Sequence, residues 1–267
     1  NALLRAIRQH DARIDVLALA RQPQRWVGVA NPLALLPSQV STNECPVLNM
    51  APGAAPGDLV GSSMRKRLKT KEAKYKNLPG YRYFQARSPA EIDRVLDAFF
   101  AIKPLRMAEQ NLPNVFAEPG VEAFIRAACS TPHGDGHAIE LHALECDDEV
   151  IALFAGVADD HRFSMMFNTY TLSANAKYSP GLILMRTIID TYAERGVSSL
   201  DLGIGGDDYK RMFCKDDEPI FDSFVPLTTR GRLGAMGLSG VAHAKRLVKQ
   251  TPALLQMAQK LRQAFGR

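Results

Sequence analysis

The sequence predicts an α/β (α+β) fold built on a mixed, mostly antiparallel sheet flanked by helices. Three observations predict it. Residues 138–171 read as three strands joined by two acidic turns. A turn at Ser179-Pro180-Gly181 opens a helix with a strong apolar face. After that helix, Leu200, Leu202 and Ile204 alternate with Ser199, Asp201 and Gly203 in a further strand. Period-two alternation marks a half-buried strand, and an apolar repeat every three to four residues marks a helix.

The elements follow in order. Leu17 and Leu19, then Val27 and Val29, suggest short strands, and residues 49–61 form a Pro/Gly/Ala-rich linker. Residues 1–60 therefore read as an incomplete N-terminal half, the remnant of a second half, ending in a linker. The first residue is Asn1, so a fragment of a longer protein, or one with a disordered start, is expected. Ser62 or Ser63 caps a helix running to Lys76, with Met64, Leu68 and Tyr75 near one stripe. Residues 81–86 form a strand. Ser88, Pro89 and Glu91 make a capping box with proline at N1, and Ile92, Val95, Leu96, Phe99 and Phe100 face the core of that helix. A loop carrying Pro104, Pro113 and Pro119 leads to a short helix over 121–129.

In the meander, strand 150–158 is almost wholly apolar and reads as central. Strand 162–171 sets Phe163, Met165, Phe167 and Thr169 on one face and Ser164, Met166, Asn168 and Tyr170 on the other. The helix over 182–195 buries Met185, Ile188, Ile189 and Tyr192 and stops at Gly196. A short helix from Asp207 carries Tyr209, Lys210 and Phe213. Residues 220–227 form the last strand, and one sheet is expected across 138–227. The division is a domain over 61–228 and a basic helical tail over 229–267.

Of the 267 residues, 46% are hydrophobic and 23% charged, which suits a globular chain. No apolar run is long enough to span a bilayer, so no integral membrane segment is expected, and the chain is read as cytoplasmic. Cys45, Cys129, Cys146 and Cys214 are far apart, which excludes a close-spaced metal site and points to reduced, buried thiols. The histidines are scattered; His133 and His137 are four apart, but Gly134 and Gly136 make that segment a loop. No metal is expected. The net charge of +5 is concentrated in Arg65, Lys66, Arg67, Lys69, Lys71, Lys74 and Lys76, and in Lys245, Arg246, Lys249, Lys260, Arg262 and Arg267. Such runs are solvated helix faces or partners for phosphate-rich surfaces.

A helix that begins directly after a turn presents unpaired amides and a partial positive charge, which suit a pyrophosphate. Ser179, Gly181, Leu182 and Ile183 would supply the amides, since Pro180 has none. The segments YSPGLILMRTII, RGVSSLDLG and YKRMFC, in this order, resemble the GNAT (acyl-CoA N-acyltransferase) superfamily. They look most like its cellulose-biosynthesis-type (CelD/BcsL-like) acetyltransferases, relatives of the FemAB group. The resemblance spans residues 60–228 and departs from the family at Tyr178, where Arg or Gln is usual, and at Ile183, where a small residue is usual. It implies acyl-CoA (acetyl-CoA) as co-substrate, held by Tyr178, Ser179, Gly181, Leu182 and Ile183 with Lys210 nearby. It implies Tyr209 as the acid for the thiolate leaving group. Asp201 is a candidate base or acceptor ligand. Arg106 and Asn168 are candidate acceptor ligands, with Glu109 and His142 behind them.

The reaction implied is transfer of an acyl group, acetyl first among them, to a hydroxyl or amine. A small-molecule or saccharide acceptor, such as a polysaccharide precursor, comes from the resemblance alone, and a homodimer is compatible with it. A FemAB-like transferase using aminoacyl-tRNA is the second reading, in which the helix of residues 65–76 meets RNA phosphates; nucleic acid is expected only there. A non-catalytic binding module in exopolysaccharide assembly is the third.

Overall fold

The computed structural model describes residues 2–51, 53–251, 254 and 257. The basic residues Lys260, Arg262 and Arg267 lie outside the described residues. The chain packs as two compact units, residues 1–46, 204–206 and 217–267 forming one, and residues 47–203 and 207–216 the other.

The first unit begins with α1 (Ala2–His10) and β1 (Val16–Pro23). A two-strand hairpin follows, β2 (Arg25–Trp26) and β3 (Val29–Ala30), turning at Val27 and Gly28, which both have positive φ. Next comes β4 (Gln39–Val40).

The second unit carries the larger sheet. Its elements are β5 (Pro46–Asn49), α2 (Pro56–Leu59), α3 (Ser62–Lys76), β6 (Arg82–Ala86), α4 (Pro89–Glu109), α5 (Val121–Ser130) and the small hairpin β7 (Pro132–His133) and β8 (Gly136–His137). Then come β9 (Glu140–Cys146), β10 (Glu149–Ala158), β11 (Arg162–Tyr170), α6 (Pro180–Glu194), β12 (Ser199–Asp201), α7 (Asp208–Arg211) and β13 (Asp216–Asp217). The strand order is β13–β5–β12–β11–β10–β9–β6. β11 and β12 run parallel, joined by α6; the pairs β12–β5, β11–β10, β10–β9 and β9–β6 are antiparallel. The mixed, mostly antiparallel sheet flanked by helices is thus present.

One apolar core lies between the sheet and α3 and α6, and includes Leu68, Tyr75, Phe154, Phe163, Ile183, Leu184, Ile188 and Tyr192. The other lies on the opposite face under α4 and α5, and includes Ile92, Leu96, Phe99, Ile125, Leu153 and Phe167. The apolar run of β10 follows from its place between the two cores.

Several expectations are corrected. The residues of β11 do not keep one face. Phe167 pairs with Ala155 and Met165 with Gly156, so Met166 is an extra residue, a β-bulge. A bulge reverses the alternation, which sends Phe163 to the α6 core and Phe167 to the α4 core. α4 does not end before Pro104 but runs through it to Glu109. A mid-helix proline costs about 3 kcal/mol; burial of Met107 and the strand contacts of Lys103 and Arg106 offset it. β12 stops at Asp201 instead of reaching Ile204, because the Asp201 carboxylate takes the Gly203 N–H at 2.7 Å and Gly203 turns at φ 78°. α3 is capped by Gly61, without a side-chain cap from Ser62 or Ser63.

The last strand, β14 (Ile220–Pro226), does not join the large sheet. It belongs to the first unit, between β1 and β4. In the large sheet the free side of β12 is taken by β5. α8 (Thr229–Gln250), capped by Thr228, packs on β14 and β1. Among the described residues no helix is long and apolar enough to cross a membrane, and no cluster of metal-ligating side chains occurs. All four cysteines are free and buried.

Candidate functional site

Pairing between the parallel strands β11 and β12 covers only Arg162–Ser199, Phe163–Leu200 and Ser164–Asp201. Past that point β12 ends and β11 continues to Tyr170, so the strands part. A cavity of about 280 Å³ opens there. Phe154, Asn168, Thr169 and Tyr170 line it from the sheet, Ala176, Ser179, Gly181 and Leu182 from the turn and first residues of α6, and Tyr209 from α7. Five residues marked from the sequence, Asn168, Ser179, Gly181, Leu182 and Tyr209, therefore meet at one place.

Asn168 Nδ2 donates to the Tyr209 hydroxyl oxygen at 3.2 Å. That bond occupies the oxygen and leaves the O–H as a donor. Burial pushes the Tyr209 hydroxyl up to about 12, against a lowering by the Asn168 hydrogen bond. The phenol stays protonated across the physiological range.

The turn differs from the four-amide cradle expected. Ser179 N–H goes to the Ala176 carbonyl at 3.0 Å, and the Leu182 and Ile183 amides both reach the Ser179 carbonyl, at 3.1 and 3.2 Å. Gly181 N–H is the amide that the turn leaves over. The Ile183 side chain is fully buried in the core. Tyr178 packs edge-on against Tyr75 at 5.5 Å between ring centroids and is not part of the cavity wall.

Lys210 and Asp201 do not line the cavity either. Lys210 is buried, with Nζ 3.1 Å from the Gly203 carbonyl and 3.4 Å from Asp207. That ammonium holds the chain between β12 and α7 together, which leaves it poorly placed to take a phosphate. Asp201 spends one carboxylate oxygen on the Gly203 amide. Arg106 lies over the Tyr170 ring at 3.4 Å and donates to the Tyr170 and Thr171 carbonyls at 2.8 and 2.9 Å. It holds the end of β11 in place. Glu109 is exposed at the end of α4.

His142 is fully buried on β9 beneath α6. Nδ1 is 2.8 Å from Tyr83 Oη and Nε2 is 2.9 Å from Tyr192 Oη, while Tyr192 donates to Glu140 at 2.5 Å. A neutral imidazole protonated on Nε2 satisfies every bond in that chain, and burial lowers its pKa accordingly. His142 is thus a core residue.

Three contacts were not read from the sequence. Lys103 Nζ donates to the Asn168 carbonyl at 3.0 Å, and burial lowers its pKa, with the charge of Arg106 adding to the effect. Glu149 holds the loop before the turn, accepting from Thr171, from Ser173 at 3.0 Å and from Asn175 at 2.9 Å. Lys71 Nζ lies 2.7 Å from Ser179 Oγ. Their sequence signal is slight, because each joins residues far apart in the chain.

A family model described as an acetyltransferase (GNAT) domain matches residues 62–211, more than half of the chain. The chain belongs to the GNAT acetyltransferase-domain family. It is accordingly an acyltransferase, and the matched segment contains the whole cavity wall. No curated protein matches the sequence. Among solved structures, L-PGS from Bacillus licheniformis is similar at TM-score 0.57 and 8% identity, over 90% of this chain and 77% of that one. A chain assigned as the C-terminal DUF2156 domain of a lysylphosphatidylglycerol synthetase from Agrobacterium fabrum gives 0.56 and 12%, over 89% and 76%. FemX gives 0.55 and 10%, over 83% and 75%. These likenesses extend the GNAT fold assignment and nothing further.

Proposed function

We propose that the chain transfers an acyl group from acyl-CoA to a hydroxyl or amine acceptor at the cavity between β11 and β12. The observation that carries this reading is the meeting of Gly181, at the start of α6, with the Asn168–Tyr209 pair across one cavity. A carrier held at the turn would lay its thioester along the parted strands. The acceptor attacks the thioester carbonyl and gives up its proton to solvent, an oxyanion forms, and the carbon–sulfur bond breaks to release the thiolate.

Tyr209 serves this sequence best as a hydrogen-bond donor. Full proton transfer from a phenol near 12 to a thiolate whose acid has a pKa of about 8.5 is uphill by roughly 5 kcal/mol. Donation without transfer stabilises the developing charge at no such cost. A saccharide or polysaccharide precursor as acceptor is a part of this proposal that rests on the resemblance, and a cytoplasmic location is a part that rests on the four free, buried thiols.

Calorimetric titration with acetyl-CoA tests it. A Cβ at Gly181 would sit 3.7 Å from the Tyr170 ring, an ordinary contact, so Gly181→Val is expected to fold. Its two methyls would crowd the approach to the amide, weakening binding by about 1.5–3 kcal/mol. A folded variant that binds as tightly as the parent places the donor elsewhere.

Aminoacyl-tRNA as donor is the second reading. It is favoured by the exposed Lys66, Arg67, Lys69, Lys74 and Lys76 of α3. Activity abolished by ribonuclease and falling steeply with salt would select it.

A further inference from the structure

Ser179 sits in the left-handed region, φ 60° and ψ 55°, and its side chain makes no cap hydrogen bond. Serine is ordinarily a good N-cap, which needs an extended backbone. Here the conformation turns the hydroxyl to Lys71 instead, at 2.7 Å. The same turn uses the amides of Ser179, Leu182 and Ile183 internally. An anion at this turn therefore finds the Gly181 amide, and its remaining stabilisation has to come from side chains.

α3 is fixed to supply one. Arg65 makes a two-pronged bond to Asp190 of α6, at 2.8 and 2.9 Å, and Glu72 pairs with Arg186 at 3.0 Å. These contacts dock α3 on α6 with Lys71 at the turn. Arg67 and Lys74 lie four residues before and three after Lys71, on the same stripe. Lys177, just before the turn, is exposed as well. Among the described residues none of these four cations forms an ion pair. Like charges on one stripe repel by a few tenths of a kcal/mol per pair. Such an arrangement is suited to counter-charge brought by a ligand.

We propose that Lys71, with Arg67, Lys74 and Lys177 around it, binds a phosphate group of the carrier that delivers the acyl group. The inference deepens the proposed function and rests on it. Coenzyme A and tRNA share this chemistry, and the test separates them.

Titration of coenzyme A into the parent and into Lys71→Met, which keeps the apolar stem, is expected to show at least a roughly ten-fold loss of affinity. Lys69→Met, on α3 but off the stripe, should bind coenzyme A as the parent does. Dephospho-coenzyme A then locates the phosphate. If Lys71 holds the 3′-phosphate, the parent loses affinity for it and the variant loses no more. If Lys71 holds the diphosphate, the variant is weaker with both ligands. In the RNA arm, neutralising Arg67, Lys71 or Lys74 should each lower the salt slope of aminoacyl-tRNA binding by about one. If the donor that the parent binds is bound equally by Lys71→Met, the inference is overturned and the proposed function stands. A parent that binds neither donor overturns both.

Discussion

Tyr209 is held by two opposing influences. Burial favours its neutral form, and Asn168 donates to its oxygen, favouring the anion. Burial wins, so the hydroxyl keeps its proton until about pH 12. The parent's kcat profile is therefore expected to show no alkaline loss from this group below about pH 11. Tyr209→Phe should lower kcat by about 10²-fold and leave acetyl-CoA affinity nearly unchanged, because the hydroxyl acts on charge that exists only as the reaction proceeds. Steady-state kinetics beside calorimetry separates the two quantities. A loss confined to affinity would make Tyr209 a wall of the cavity and nothing more. The Tyr83–His142–Tyr192–Glu140 chain is a different case, remote from the cavity lining. Tyr192→Phe removes the donor to Glu140 and the acceptor for His142 Nε2–H, and should cost about 1–3 kcal/mol of stability with kcat retained. Chemical denaturation measures it.

At the scale of elements, the bulge in β11 decides which side chains reach the site. With strict alternation Asn168 would share a face with Met166 and Ser164; the extra residue at Met166 instead places Asn168 beside Phe154 on the α6 side, within reach of Tyr209. The bulge depends on Gly156 opposite. A Cβ there would lie 2.5 Å from the Phe163 ring and 2.6 Å from the Ser164 carbonyl. Gly156→Ala should therefore destabilise the protein by about 2–3 kcal/mol and lower turnover of the molecules that remain folded. Unchanged thermal unfolding would mean that the bulge can slide along the strand. α4 contributes by tying three β11-end carbonyls, those of Asn168, Tyr170 and Thr171, to Lys103 and Arg106. A strand edge that has lost its β12 partner needs such donors, since buried carbonyls are rarely left unpaired.

At the scale of the whole molecule, the first unit brings β1, early in the sequence, together with β14 and α8, late in it. β1 covers one side of β14 and α8 packs across both. Removing residues 1–23 would strip β14 of its long partner and leave an apolar edge strand carrying Phe221 and Val225. Such edges pair with other chains. The truncated protein is expected to aggregate, as light scattering would show; a monodisperse product would mean that β14 is secure without β1. The proposed partition into residues 1–60, 61–228 and 229–267 would place these partners in separate segments.

Much of the large sheet and of the site was legible in sequence because the signals are local. The paired aspartates at 147–148, both at positive φ, the capping box at Ser88 and Glu91, and the Gly196 stop act within a few residues. So does the turn into α6, and the order of segments around it carried the family. What sequence determined by itself was the meander, the helix that follows and the identity of five residues at the cavity. The bulge at Met166, the helix through Pro104, the place of β5 beside β12 and the pairing of β14 with β1 were decided only by the tertiary structure. So were the capture of Lys210 and Asp201 by the chain near Gly203 and the reach of Lys71 to Ser179. Each of these is a choice among partners distant in the chain, settled by which packing buries the apolar faces and leaves the fewest backbone groups unpaired.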